Sequence, residues 1–358
     1  MVKKTLLISY NYPPVVGGIE TYSFDLINYF KDKNNISFII PKKKKPVNRN
    51  LRAISMIVFS IATIAKIIFK KYDLIHITNF NLWIVCYFYS LFYKKTKFVI
   101  SLWGLELVFK NKKGLLPVIH KLIVPIAFIS KQKNFNFLTS SNSSINLALN
   151  CGIKKHKLFK VPLGVSQESV HQINSDINFE KYFLFSGRIT QRKGLSWFAE
   201  NILPNFPEYK LLITGSIVEK DELLKTLRVK NTEWLGRVSR SELVKLRQKS
   251  CAIVIPNILQ PNQNDFEAYG YVTIESVANG GLVIASDYQG LSDSLQKGAL
   301  GFLAKASDIN SWVRTLNKVI NINKKDKIKI ISQRSLYVKN NLTFNTVFKE
   351  TEEFYKSL

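Results

Sequence analysis

Apolar residues fall along this chain in short runs, separated by stretches of helical periodicity. Thr5 to Tyr10 reads as a buried strand, and the loop Asn11 to Gly18 follows it. Ile19, Tyr22, Leu26, Ile27 and Phe30 then recur at three- and four-residue steps, the spacing of one helix face. Strand, glycine loop and helix open a βαβ unit. Further apolar runs at 36–40, 74–77, 98–102 and 137–139 fit parallel strands of one sheet. The pattern changes after Val161–Val165, where a polar stretch from Gln167 to Asn178 reads as a linker. A second series begins at 182–186 and continues at 210–214, 251–256 and 282–286, with helical patterns between. The pattern predicts two tandem Rossmann-like, doubly wound α/β domains, over 1–165 and 166–341, facing each other across a ligand cleft. A last helix over about 342–358 could pack back on the first domain.

Three longer apolar stretches raise the question of a membrane. Leu51–Phe69 carries Arg52, Ser55, Ser60, Thr63 and Lys66 as one narrow polar stripe on a mostly apolar helix. A span needs about 20 apolar residues with few charges, and this segment falls short. Leu82–Tyr93 is shorter, and Leu115–Ser130 is broken by Pro117, His120, Lys121 and Pro125. All three are expected as buried elements of a soluble domain. The competing expectation seats one of them, with the run Lys42–Lys45, on an anionic membrane surface.

Charge sharpens that alternative. The chain has 52 Lys+Arg against 25 Asp+Glu, a formal net charge of +27, which calls for a polyanionic partner or an anionic surface. The basic residues are dispersed and no DNA- or RNA-binding motif is visible, so nucleic acid is not the expected partner. Part of the excess reflects a general preference for Lys, Asn and Ile. Cys86, Cys151 and Cys251 are widely spaced, which excludes a disulfide framework and a cysteine zinc site and fits a reducing, cytoplasmic setting. The N-terminus runs directly into a strand pattern, without the features of a signal peptide.

Candidate chemistry concentrates in the second half. The strand at 182–186 leads into Gly187-Arg188 and then Lys193-Gly194. Two cations at the carboxyl end of a strand, with a helix starting near Gly194, suit a diphosphate. In Glu267-Ala268-Tyr269-Gly270-Tyr271-Val272-Thr273-Ile274-Glu275 the glycine suggests that a helix begins inside the segment. Glu267 then lies in the preceding loop and Glu275 in the early turns, where carboxylates can bind sugar hydroxyls and free N–H groups can bind phosphate.

These segments resemble the retaining glycosyltransferases of family 4, which have the GT-B fold. Glu267 to Glu275 is similar to their E-x7-E region, Gly187-Arg188 with Lys193-Gly194 to their phosphate loop, Leu211 to Gly215 to the next strand and turn, and Glu233 to Val238 to the following segment. Gly17-Gly18, Asp73 to His76 and Val161 to Val165 resemble first-domain pieces, in the right order. The resemblance implies a hexosyltransferase that takes a sugar from a UDP- or GDP-linked donor bound by the second domain. Arg188 and Lys193 would hold the diphosphate, Glu267 the donor sugar and Glu275 the ribose. The backbone at Ala268, Tyr269, Gly270, Tyr271 and Val272 would lie near sugar and phosphate. Gly17, Gly18, Gly187 and Gly215 would approach the donor, and Leu235, Arg237 and Val238 would frame the base. The acceptor, glycan or lipid-linked, would fall to the first domain, in surface polysaccharide assembly such as O antigen or capsule. Trp103 stands where many relatives have a histidine, and Trp103 and Glu106 are candidate sugar or acceptor contacts. The resemblance further implies front-face attack with retention. No Asp-x-Asp pair is present to hold a metal–diphosphate complex, so neither a metal nor another cofactor is expected. The alternatives are a non-catalytic GT-B scaffold, another enzyme on this fold, or a basic nucleic-acid-binding protein.

Overall fold

The apolar runs pair into two sheets, every strand parallel to its neighbours. The computed structural model describes residues 3–13, 17–41, 49–108, 125–171, 173, 176–259 and 266–358. Lys42–Lys45, Lys112–Lys113, His120 and most of Leu115–Ser130 lie outside the described residues. The chain forms two units. One comprises Met1–Leu163, Asn262–Ala268 and Phe344–Leu358, and the other Gly164–Pro261 and Tyr269–Thr343.

In the first unit β1 (Thr5–Ile8), α1 (Gly18–Phe30), β2 (Ile36–Ile39), α2 (Arg49–Ile67), β3 (Leu74–Ile77), α3 (Trp83–Phe92) and β4 (Lys97–Ser101) follow in turn. The short α4 (Leu105–Val108) and α5 (Ile126–Lys131), then β5 (Phe135–Thr139), α6 (Asn142–Asn150) and β6 (Leu158–Lys160) complete the series. The strand order is β2-β1-β3-β4-β5-β6. Leu7 pairs with Phe38 on one side and His76 on the other. Parallel strands covered on both faces need no polar alternation, and β1, β3 and most of β4 are buried along their length.

The second unit runs β7 (Glu180–Ser186), α7 (Leu195–Asn201), β8 (Lys210–Thr214), α8 (Lys220–Leu227), β9 (Thr232–Trp234), α9 (Arg240–Lys249) and β10 (Ser250–Ile255). It continues with α10 (Tyr271–Ala278), β11 (Val283–Asp287), α11 (Gly290–Ser294), β12 (Phe302–Lys305), α12 (Ile309–Ile320) and α13 (Lys324–Asn341). Its order, β9-β8-β7-β10-β11-β12, is the 3-2-1-4-5-6 arrangement of dinucleotide-binding folds. Polar side chains start its helices: Ser239, Asp308 and Asn323 each accept an N–H from the first turn of the helix that follows.

The last helix, α14 (Phe344–Ser357), belongs to the first unit. Its Phe348 meets Tyr22 and Tyr29 of α1 at 5.6 and 5.7 Å between ring centres, and Tyr355 stacks on Phe30. The Tyr355 hydroxyl bonds Nδ1 of His76, whose Nε2 lies 2.8 Å from Ser101 Oγ. His76 is fully buried in β3, a structural residue.

Strands β6, β9 and β12 are not visible in the sequence pattern. They are three or four residues long and lie at or beside the edges of their sheets. The largest departure concerns Leu51–Phe69. The helix is there, but the middle of its polar stripe faces inward, while Arg52 and Lys66 at its ends are exposed. Ser60 and Thr63 are 4% and 2% exposed, whereas Leu51, Ile54, Ile57, Val58 and Ile61 are 55–62% exposed. The buried element expected from the sequence is therefore buried on one face only. Its inner hydroxyls tolerate this because they can bond within the helix, as Ser60 does to the Met56 carbonyl at 2.9 Å.

Candidate functional site

Strand order in the second sheet reverses between β7 and β10. From β7 the chain moves one way to β8, and from β10 it moves the other way to β11. Loops leaving the carboxyl ends of such strands diverge and open a crevice, where α/β sheets take their ligands. Here those loops are Gly187–Gly194 after β7 and Pro256 onward after β10. They touch each other: the Ile258 N–H donates to the Arg192 carbonyl at 3.2 Å. Gly194 has φ +65°, and a Cβ on it would sit 2.1 Å from the Pro256 carbonyl oxygen. Glycine is required there both for its backbone angle and for space.

The same edge carries a row of close backbone approaches. The Gly187 N–H donates to the Thr214 carbonyl, and the Gly215 N–H to the Gly236 carbonyl. A Cβ on Gly215 would lie 1.8 Å from the Gly187 carbonyl oxygen. Gly187, Gly215 and Leu235 therefore stand along the carboxyl edge of β7, β8 and β9, with Arg188 and Arg237 exposed beyond them and Lys193 half-buried. Val238 follows, half-buried.

Helix α10 starts where the sequence suggested, with Gly270 in the left-handed region at φ 78° as its first cap. Glu267 lies in the loop before the helix and Glu275 in its second turn. Thr273 anchors the start, donating through Oγ1 to the Gly270 carbonyl and meeting Ser294 Oγ, both at 2.6 Å. No acidic side chain lies in the first turn. Tyr269 and Gly270 are buried, and Tyr271 and Val272 half-buried. Glu267 and Ala268 group with the first unit, where Ser140 and Ser144 hydroxyls donate to the Ala268 carbonyl at 3.5 and 3.4 Å.

Sequence reasoning missed Arg247. It is buried, and its Nη2 lies 3.6 Å from Oε2 of Glu275 and 3.4 Å from Oγ of Ser186, the last residue of β7. Its Nη1 donates to Asn279 Oδ1 at 2.7 Å. One guanidinium thus joins the end of the switch-point strand to Glu275 within α10 and to Asn279, which caps the end of that helix. Burial pulls its pKa down, and Glu275 opposes that shift. The available signal was the three-residue step from Val244 to Arg247, which puts both on the buried face of α9.

The helix after Lys193 is less open to anions than its position implied. Glu222, itself buried, accepts the Ser196 N–H at 2.9 Å and the Ser196 hydroxyl at 3.0 Å. The protein's own carboxylate occupies that N-terminus, and α7 is only seven residues long. The groups left at this edge with positive character are Arg188, Lys193 and the N–H groups at the start of α10.

The remaining candidates lie in the first unit. Gly17 precedes α1 in extended backbone, and Gly18 is its exposed first residue. Nearby, Asn11 donates to Glu20 Oε1 at 2.8 Å. Hydroxyls of Ser23, Thr78 and Ser9 chain together at the carboxyl ends of β1 and β3. The Trp103 indole N–H donates to the Thr78 carbonyl at 2.7 Å, and its ring meets Tyr22 edge-on at 4.8 Å. Glu106 accepts the Trp103 N–H. Burial pushes its carboxyl pKa up, against the pull of the backbone N–H groups around it. Trp103 is thus fixed by its own chain, with the ring half-buried.

Comparison with known proteins bears on both units. Residues 166–334 match the family model "Glycosyl transferases group 1". A 41.2 kDa protein in the cps region of Klebsiella pneumoniae is 23% identical over 282 residues, 75% of each chain. Among solved structures, a sucrose-phosphate synthase from Thermosynechococcus elongatus superimposes with a TM-score of 0.76 at 16% identity, over 99% of this chain and 98% of the other. Anabaena HepE, solved in complex with UDP and glucose, gives a TM-score of 0.72 at 15% identity, over 99% and 100%. The structural likenesses show the GT-B fold, and the match of the second unit to the group 1 glycosyl transferases supports a glycosyltransferase enzyme.

Proposed function

We propose that the chain transfers a sugar, with retention at the anomeric carbon, from a nucleoside-diphosphate sugar to a glycan or lipid-linked acceptor. The donor falls to the second unit. The observation that carries this reading is the carboxyl edge of β7 and β10, where Gly187, Arg188 and Lys193 flank the switch point and Arg247 ties Ser186 to Glu275. Arg188 and Lys193 stabilise charge on the departing diphosphate, together with N–H groups at the start of α10. Glu275, steadied by Arg247, takes the ribose hydroxyls, and Glu267 a hydroxyl of the donor sugar. The acceptor hydroxyl attacks on the leaving-group side and passes its proton to a donor phosphate oxygen. The cations supply the positive charge that a divalent ion would otherwise bring, so the reaction is metal-independent.

UDP is the favoured donor nucleotide, because the structurally similar HepE was solved with UDP. The cps-region relative favours a place in capsule or related surface polysaccharide assembly. The test is thermal unfolding of the full chain with UDP, GDP and ADP and their sugars, without metal and then with Mg²⁺. A ligand that binds only the folded state raises the midpoint. A rise with UDP that is lost in Lys193→Ala supports the reading. No rise with any nucleotide overturns it.

A further inference from the structure

The outward face of α2 has the wrong polarity for water. An exposed helix face is normally polar, yet Leu51, Ile54, Ile57, Val58 and Ile61 form its outer stripe and are each more than half exposed. From Leu51 to Ala65 that stripe is about 21 Å long at 1.5 Å per residue. Helix α3 packs beside α2 and continues the surface with exposed Phe88, Leu91 and Phe92. Contiguous apolar surface of this extent marks an interaction site.

The rim of the face is basic. The ends of the two helices are tied together, since the Tyr93 hydroxyl donates to the Ile68 carbonyl and the Tyr89 hydroxyl to the Lys70 carbonyl, both at 2.7 Å. Exposed Lys70, Lys71, Lys94 and Lys95 therefore cluster at that end, with Phe69 92% exposed among them. Beside Leu91 opens a groove of about 680 Å³ lined by Lys94, Lys95, Lys97 and Lys133. Between Asp32 and Glu106 the sequence holds one carboxylate, Asp73, which accepts the Lys4 N–H. Among the described residues no helix is long and apolar enough to cross a membrane.

We propose that the α2–α3 face is a membrane-docking surface that lies on an anionic bilayer, with the α2 stripe among the acyl chains and the lysine rim on the phosphates. Apolar residues on one face with flanking lysines are the recognised form of an interfacial helix, and each basic group near an anionic leaflet adds to the attraction. An apolar face made for a second copy would not need the lysine rim, because like charges would repel across the twofold.

The experiment is flotation of the full chain with vesicles of phosphatidylglycerol and phosphatidylcholine, and with phosphatidylcholine alone, in the absence of donor. The protein is expected to float with the anionic vesicles. Ile57→Asp combined with Ile61→Asp is expected to lower that binding at least about tenfold while the unfolding midpoint is kept, both positions being exposed. Lys70→Glu combined with Lys71→Glu is expected to weaken it and flatten its salt dependence. Failure to float, equal flotation with phosphatidylcholine alone, or unchanged binding of the isoleucine variant overturns the proposal. So does a wild-type dimer that the isoleucine variant splits, which would give the face to a second copy. Because no donor is present, any of these outcomes leaves the transferase reading to its own test.

Discussion

Arg247 Nη2 and Glu275 Oε2 stand 3.6 Å apart, the first inside the second unit and the second a third exposed at its surface. A buried cation that reaches one surface carboxylate fixes where that carboxylate points. Arg247→Met should leave Glu275 and Asn279 without this partner. The expected result is a loss of about 1–3 kcal/mol of stability and a donor KM raised about tenfold, with a smaller fall in kcat. Arg247→Lys should rescue little, since an ammonium cannot span Ser186, Asn279 and Glu275 with one rigid fork. Denaturant titration and steady-state kinetics check both.

Gly215 gives a steric prediction. A methyl group there would meet the Gly187 carbonyl oxygen at 1.8 Å, and neither backbone can yield without moving the edge of β7 and β8. Gly215→Ala is expected to cost about 1–3 kcal/mol and to abolish the thermal shift with UDP. An unchanged shift would mean that this edge is not the donor site.

Lys193→Ala and Arg188→Ala should each lower kcat by about 10²–10³, the usual loss when one group stabilising transition-state charge is removed. Wild-type turnover should survive EDTA. Loss of activity in EDTA, with recovery on adding Mg²⁺, would assign to a metal the task proposed for these cations.

His76 predicts a pH dependence of stability. Burial lowers its pKa from 6.5 to about 3. In the unfolded chain the imidazole takes up a proton as the pH falls through about 6.5, while in the folded chain it stays neutral. Its contribution is therefore complete above that pH and is lost on acidification, at about 1.4 kcal/mol per pH unit well below it. Denaturant midpoints between about pH 7 and pH 5 should fall more steeply for the wild type than for His76→Gln.

Much of the fold could be read from the chain because buried parallel strands are dense apolar runs, and those at 74–77 and 210–214 are found with the boundaries read from the sequence. The start of α10 was legible for a local reason: only glycine sits easily at Gly270, so the break announced the helix. Arg247 was hidden because its partners Glu275 and Asn279 come about 30 residues later, and nothing local distinguishes it from Arg240. The orientation of α2 was hidden for another reason. Periodicity locates a polar stripe but does not say whether that stripe faces water, and Ser60 and Thr63 face the core. The edge strand β9 carries Glu233 outward and only a half-buried Trp234 inward, too little contrast to show as a strand.

The place of α14 bears on how the chain is made. Tyr355 closes over Phe30 and His76, and Phe354 packs on Phe159 at 4.0 Å. Synthesis delivers β6 about 195 residues before Tyr355, so at about 5–20 residues per second the first sheet waits roughly 10–40 s for its last covering helix. During that interval the second unit folds as it emerges, up to Thr343, while the first presents an uncovered aromatic surface. The unit that begins first on the ribosome is finished last, and a chaperone that shields the N-terminal half during translation would serve this protein best.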